Sequence, residues 1–161
     1  MTSTKSTRLW LILSSLLLWI VSLCVPALAF HENPGPNVSV VHHSGFEMMF
    51  ASIFGPFELN FAILANPLLL ISWILLGKQK FRATYITLGF ALFFALQTFQ
   101  LYVTPFMEDE GGSNKSYLTH PLIGWYLWMA AIILPFAAAI HFHKLAKNAP
   151  PPPLAEAPTP A

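Results

Sequence analysis

The stretch that most constrains this chain is Pro56 to Leu76, PFELNFAILANPLLLISWILL, an apolar run of bilayer length that carries Asn66-Pro67 near its middle. A helix over it rises 1.5 Å per residue and sets Asn66 about 15 Å from the Pro56 end, at the midplane of a hydrocarbon core about 30 Å thick. An amide at that depth needs a hydrogen-bonding partner. Pro67 adds a second demand, because it withholds the N–H that would meet the carbonyl of Ile63, and a neighbouring helix or a water has to take its place.

Three more apolar runs accompany this one, so that spans are predicted at 9–29, 56–76, 83–104 and 121–141. Hydrophobic residues make up 55% of the chain and charged residues 9%, whereas about 25% of an ordinary soluble domain is charged. The mean hydropathy is +0.59. The fold class read from this is an all-α integral membrane protein: a four-transmembrane-helix bundle, up-down-up-down, over residues 1–147, followed by a disordered Pro-rich cytoplasmic tail over 148–161. The first run has a second reading. Lys5 and Arg8 precede it, and Pro26-Ala27-Leu28-Ala29 ahead of Phe30 fits the small-residue pattern of a signal-peptide cleavage site; the length of the run favours a retained helix.

Between the spans, Phe30 to Ser44 and Phe106 to Thr119 read as loops from their Gly, Pro, Asn and charged residues. Gly45 to Ile53 (GFEMMFASI) reads as a short interfacial helix before the second span. Gly77 to Arg82 is a short basic loop. On this layout Lys5, Arg8, Lys78, Lys80, Arg82, Lys144 and Lys147 share one side and only Lys115 lies opposite, which puts both termini in the cytoplasm by the positive-inside rule. Glu32, Glu47, Glu58, Glu108, Asp109 and Glu110 then mark an acidic outer face.

Composition excludes some functions. A net charge of +1 with no dense Lys/Arg cluster excludes a nucleic-acid surface. The single cysteine, Cys24, allows no intramolecular disulfide. No phosphate-binding Gly loop, nucleophile elbow or paired catalytic carboxylates occur, so no enzyme activity is expected.

The polar residues that remain are the candidates for function. Glu58 and Asn60 stand in the first turns of the second span, where the helix dipole favours a carboxylate and where an ion path would open. Asn66 and Pro67 form the helix break, and Gln97 and Gln100 share a polar face with Thr104 on the third span. Antiparallel neighbours bring Asn66 and Gln97 to similar depth, and a hydrogen bond between them is expected. Gly124, Leu127, Ala131, Leu134 and Ala138 repeat at heptad spacing, giving a helix-packing seam whose small members are Gly124, Ala131 and Ala138. His42, His43, Glu47 and His120, with His31, collect at the outer boundary. Imidazole and carboxylate suit a divalent metal, but adjacent His42-His43 is not a helical i, i+4 pair, so no metal or other cofactor is assigned.

The leading functional expectation is a non-catalytic accessory or structural subunit of a larger membrane complex, in the bacterial inner membrane. Its partners would be lipid, other membrane subunits or further copies of itself, and a basic soluble protein on the acidic outer face. The alternatives are a small oligomeric transporter or channel component built on Glu58, Asn60 and the Asn66-Pro67 break, and a redox protein holding a metal or cofactor through the outer histidines.

Overall fold

A computed structural model describes residues 2–32, 40–51, 53, 60–104, 106–107 and 115–148. Helix α1 spans Thr2–Cys24, α2 Gly45–Ala51, α3 Ala65–Gly77, α4 Phe81–Leu96 and α5 Ile123–Asn148; 3-10 turns at Ala62–Leu64 and Gln97–Tyr102 extend α3 and α4. The protein is mostly helical, and three helices are long and apolar enough to cross a membrane: Lys5–Cys24, Phe81–Tyr102 and Ile123–Asn148. The apolar helix Ala62–Gly77 is shorter. Pro56 and Glu58, at the predicted start of the second span, and the tail beyond Asn148 lie outside the described residues.

The helices pack through a core of alanines interleaved with large side chains, and leave other large apolar side chains exposed. Helix α1 lies along α5, and α4 lies along both α3 and α5. Their shared core combines Ala65, Ala91, Ala95 and Ala131, which allow close backbone approach, with Leu69, Trp73, Leu88 and Ile132. Leu13, Leu17, Ile74, Phe90, Phe93 and Ile133 are exposed. In water such a surface would be costly, whereas lipid tails solvate it as well as a protein core does.

Buried hydroxyls are satisfied inside the bundle, as a low-dielectric surrounding requires. Ser22 and Ser72 donate to the carbonyls of Trp19 and Leu69, each at 2.6 Å, and Thr84 donates to Lys80 O at 3.0 Å. Ser15 has a larger task. Pro135 sits inside α5 and has no N–H to offer the carbonyl four residues before it, that of Ala131. The Ser15 hydroxyl donates to that carbonyl from α1 at 2.6 Å and accepts from the Trp73 indole of α3 at 2.9 Å. A proline-freed carbonyl is thus met by a neighbouring helix, at Pro135 rather than at Pro67.

Helix α3 begins near the residues predicted to break it. Asn66 and Pro67 are the second and third residues of α3, so the missing proline N–H falls among the first-turn donors that have no helical partner anyway. At its other end, Gln79 adopts a positive φ of 60°. Lys80 N–H reaches Leu75 O at 2.9 Å and Gln79 N–H reaches Leu76 O at 3.1 Å, a Schellman cap with glutamine in the place glycine usually takes. This tight turn makes α3 and α4 antiparallel neighbours.

The sheet is a departure from the all-α expectation. Strands β1 (Pro26–Glu32), β2 (Val40–Ser44), β3 (Phe106–Met107) and β4 (Lys115–Pro121) form an antiparallel sheet in the order β2-β1-β4-β3. The two segments read as loops therefore contain strands, and the first predicted span ends at Cys24 instead of Ala29. Pro26 cannot continue α1, and Ala27 to Phe30, all four buried, follow in a strand that pairs with segments distant in sequence. Leu28 and Phe30 pack with Leu101, Leu118 and Trp125 in a second core that seats the sheet on one end of the helices.

Two glycines make that seating possible. A Cβ on Gly124 would stand 2.9 Å from Pro26 O and 3.0 Å from Ser22 O and Ala27 Cα, all backbone atoms. A Cβ on Gly45 would collide with Ser22 O. The start of α5 and the start of α2 thus press against the α1–β1 junction, and only a residue without a side chain fits between them.

Candidate functional site

A cavity of about 90 Å³ lies where the ends of the helices meet the sheet and α2. Its wall takes Met48 and Met49 from α2, Asn60 and Asn66 from the approach to and start of α3, and Trp125 and Trp128 from α5. Of the predicted path residues, Asn60 and Asn66 are brought together here. Thr98 and Leu101 complete the wall from the end of α4, and Gly124 from the start of α5.

The expected Asn66–Gln97 hydrogen bond does not form. Asn66 Oδ1 accepts from two indoles, Trp19 Nε1 at 3.1 Å and Trp128 Nε1 at 3.0 Å, so α1 and α5 are both tied to the start of α3. Gln97 Oε1 instead accepts from Phe61 N–H at 2.9 Å, and Asn60 Oδ1 accepts from Ala62 N–H at 3.0 Å. These last two amides satisfy donors that a helix start leaves without partners. Gln100 is exposed, and Glu58 lies outside the described residues.

The donors left over give the cavity its polarity. Two indole N–H groups fix the Asn66 amide with its oxygen toward them, which leaves Nδ2 as a free donor. Asn60, with its oxygen on Ala62, likewise keeps Nδ2. Trp125 is only 9% exposed, and its Nε1 has no hydrogen-bond partner. Among the described residues no Asp, Glu, Lys or Arg lines the cavity.

The outer histidines divide between the two faces of the sheet. His42 and His120 are register partners of Ala29 from either side, which sets them on one face about 10 Å apart at the strand spacing. His31 lies two residues on, its Nδ1 2.9 Å from Thr119 Oγ1 and its ring stacked on Tyr117. His43 takes the opposite face, edge-on to Phe30. Among the described residues no three His, Cys, Asp or Glu side chains stand close enough to hold a metal ion.

Glu47 is a cap. Ser44 N–H donates to its carboxylate at 2.8 Å, and Glu47 N–H donates to Ser44 Oγ at 3.2 Å, the reciprocal capping box that starts α2. The Ser44 backbone N–H, followed by the Ser44 hydroxyl and then His43, holds the Glu47 carboxyl below its ordinary value. Ser44-Gly45-Phe46-Glu47 is the S-x-x-E signature of that motif, so this role was legible in the sequence. The cavity was not, because its walls come from five separate segments.

In the predicted packing seam, Gly124 and Ala131 are buried and Ala138 is half-buried, with Ala139 beside it fully buried. The opposite end of the bundle carries the basic residues. Arg8 Nη1 approaches Gly77 O at 3.5 Å, Phe81 packs on Phe142, and Tyr85 on His143, joining the start of α1, the α3–α4 turn and the end of α5. Comparisons with known protein families, characterised proteins and solved structures return no match.

Proposed function

We propose that this chain is a four-span membrane protein that serves as a non-catalytic accessory subunit of a larger membrane complex, docking a partner subunit on its outer side. The observation that carries the reading is the continuity of β2 with α2. Strand β2 is an edge of the sheet and presents backbone donors and acceptors that a further strand can pair. Directly after it, Phe46 and Phe50 lie with ring centroids 4.8 Å apart, tilted at 58°, and stand half exposed, with Ile53 beyond them. A polar edge leading into an aromatic patch suits a partner at the membrane boundary.

The large apolar side chains exposed along the helices support a lipid surround for them. Basic residues at the end opposite the sheet support cytoplasmic termini and a sheet on the outer side of a bacterial inner membrane. The acidic residues of the outer loops would add attraction for a basic soluble partner.

The experiment is a photo-crosslinking residue at Val40 or Phe46, with a control at Leu17 on α1, in the native membrane, followed by native mass spectrometry of the mild-detergent extract. A foreign subunit crosslinked from Val40 and Phe46 but not from Leu17, and present in the native mass, is the expected result. A bare chain or a homo-oligomer with no crosslink overturns it. The transporter reading draws on one observation, the meeting of Asn60 and Asn66 at a cavity, and ion flux in proteoliposomes that disappears on Asn60→Leu would favour it.

A further inference from the structure

We propose that the cavity beneath the sheet binds the carbonyl end of a neutral, lipophilic molecule, held by the unpaired N–H donors of Trp125, Asn60 and Asn66. This goes beyond an accessory role and is independent of it.

The chemistry follows from what the wall offers. Three donor groups, Trp125 Nε1, Asn60 Nδ2 and Asn66 Nδ2, belong to wall residues and lack protein acceptors, and of these Trp125 Nε1 alone is fully buried. A buried donor without an acceptor is costly, and native proteins keep few of them. An oxygen acceptor entering the cavity would relieve that cost. Among the described residues no charged side chain stands in the wall to balance an ion, and an uncompensated charge here would be penalised heavily. The ligand is therefore neutral. Beside the hydroxyl residues Ser22 and Thr98 the rest of the wall is mostly apolar, with Met48, Met49, Leu101 and Ile63 among its members, so the body attached to that oxygen is apolar. Methionine pairs adapt to irregular ligand shapes, which suits a flexible lipophilic body.

Two sources supply that chemistry: the ester carbonyl of a bilayer lipid and a free lipophilic ketone or quinone. Both present an oxygen acceptor on an apolar body from the membrane side. The asparagines and Trp125 distinguish this from a dry void, because a void lined only by hydrocarbon would have no use for three donors.

The test uses the full-length protein in mild detergent and counts bound molecules by native mass spectrometry. The probes are 2-decyl-1,4-benzoquinone, decylbenzene as the oxygen-free control, and dioleoylphosphatidylcholine. The wild type should hold one quinone per chain saturably and no decylbenzene. Trp125→Phe keeps an aromatic ring without the N–H and should weaken quinone binding roughly fivefold; Asn60→Asp keeps the acceptor for Ala62 N–H but puts a carboxylate in place of the donor, and should weaken it at least as much. Ala62→Phe, which fills the cavity, should abolish it, with thermal melting confirming that the variant folds. If phosphatidylcholine is retained one per chain and displaces the quinone in wild type but not in Ala62→Phe, the same site takes a lipid ester, and the proposal stands with that source. Equal binding of decylbenzene and quinone overturns it, as does quinone binding unchanged in both Trp125→Phe and Asn60→Asp. Saturable binding of neither carbonyl compound also overturns it and leaves the cavity to water.

Discussion

Replacing Ser15 with alanine removes one oxygen and strands two polar groups. The Ala131 carbonyl loses its donor, because Pro135 offers none from within α5, and the Trp73 N–H loses its acceptor. Ala131 is 0% exposed and Trp73 8%, so water cannot readily replace the hydroxyl. Interhelical hydrogen bonds in membrane bundles average roughly 0.6 kcal/mol and reach about 1.7, while a buried group left unsatisfied costs about 1–3 kcal/mol. Two well-made bonds, at 2.6 and 2.9 Å, place the loss for Ser15→Ala at about 2 kcal/mol. Pro135→Ala supplies the background that isolates the carbonyl. There the helix's own N–H meets Ala131, and Ser15→Ala should cost only the Trp73 bond, about 1 kcal/mol. The cycle is measured by unfolding the protein in mixed micelles of rising dodecyl sulfate fraction, followed by tryptophan fluorescence. A coupling of about 1 kcal/mol between positions 15 and 135 is expected. Loss of less than about 0.3 kcal/mol for Ser15→Ala, or the same loss with and without Pro135, would refute the argument.

Three further outcomes follow from the same packing. Gly124→Ala drives a methyl group into the backbone of Ser22, Pro26 and Ala27 and should cost about 1–3 kcal/mol in the same unfolding assay; Gly77→Ala, where a Cβ meets nothing within 4 Å, is the control and should be neutral or stabilising. Asn66→Leu breaks both indole bonds and should cost about 1 kcal/mol in total, and Trp19→Phe made on top of it should add less than it does alone; full additivity would show that the Trp19 bond carries no energy. The Glu47 carboxyl is held below 4.5 in the folded chain, so its support of α2 is complete above about pH 4.5 and is lost as pH falls through the lowered folded value. Protection factors of the amides across Gly45–Ala51, taken relative to intrinsic exchange at each pH, should therefore fall at acid pH in the wild type and not in Glu47→Gln; equal acid sensitivity in both would assign the effect elsewhere.

Some of this was legible from the residues alone because its cause is local. A run of about 20 apolar residues specifies a helix long enough to cross a membrane whatever it packs against, and the spans predicted at 9–29, 83–104 and 121–141 correspond to the helices Lys5–Cys24, Phe81–Tyr102 and Ile123–Asn148. The small residues Gly124 and Ala131 announced a contact face, whereas the S-x-x-E spacing of Ser44 and Glu47 is passed over when Glu47 is grouped with the outer histidines. Pro67 misled, because a proline inside an apolar run looks like a break until the helix is seen to begin at Ala65.

What the tertiary structure decided is non-local. Pro26–Glu32 has the composition of a continuing apolar run, and becomes the second strand of a sheet only because Leu28 and Phe30 find Val41, His43, Leu118 and Pro121 as neighbours; pairing across about 90 residues leaves no mark within a short window. Likewise, a buried asparagine declares that it needs a partner without naming one. Depth in the bilayer suggested Gln97, whereas helix rotation turned Trp19 and Trp128 toward Asn66. The apolar length of a helix is a property of its own residues, but the azimuth at which it meets its neighbours depends on all of them together. The hydrogen bonds and the cavity of this protein are consequences of that azimuth.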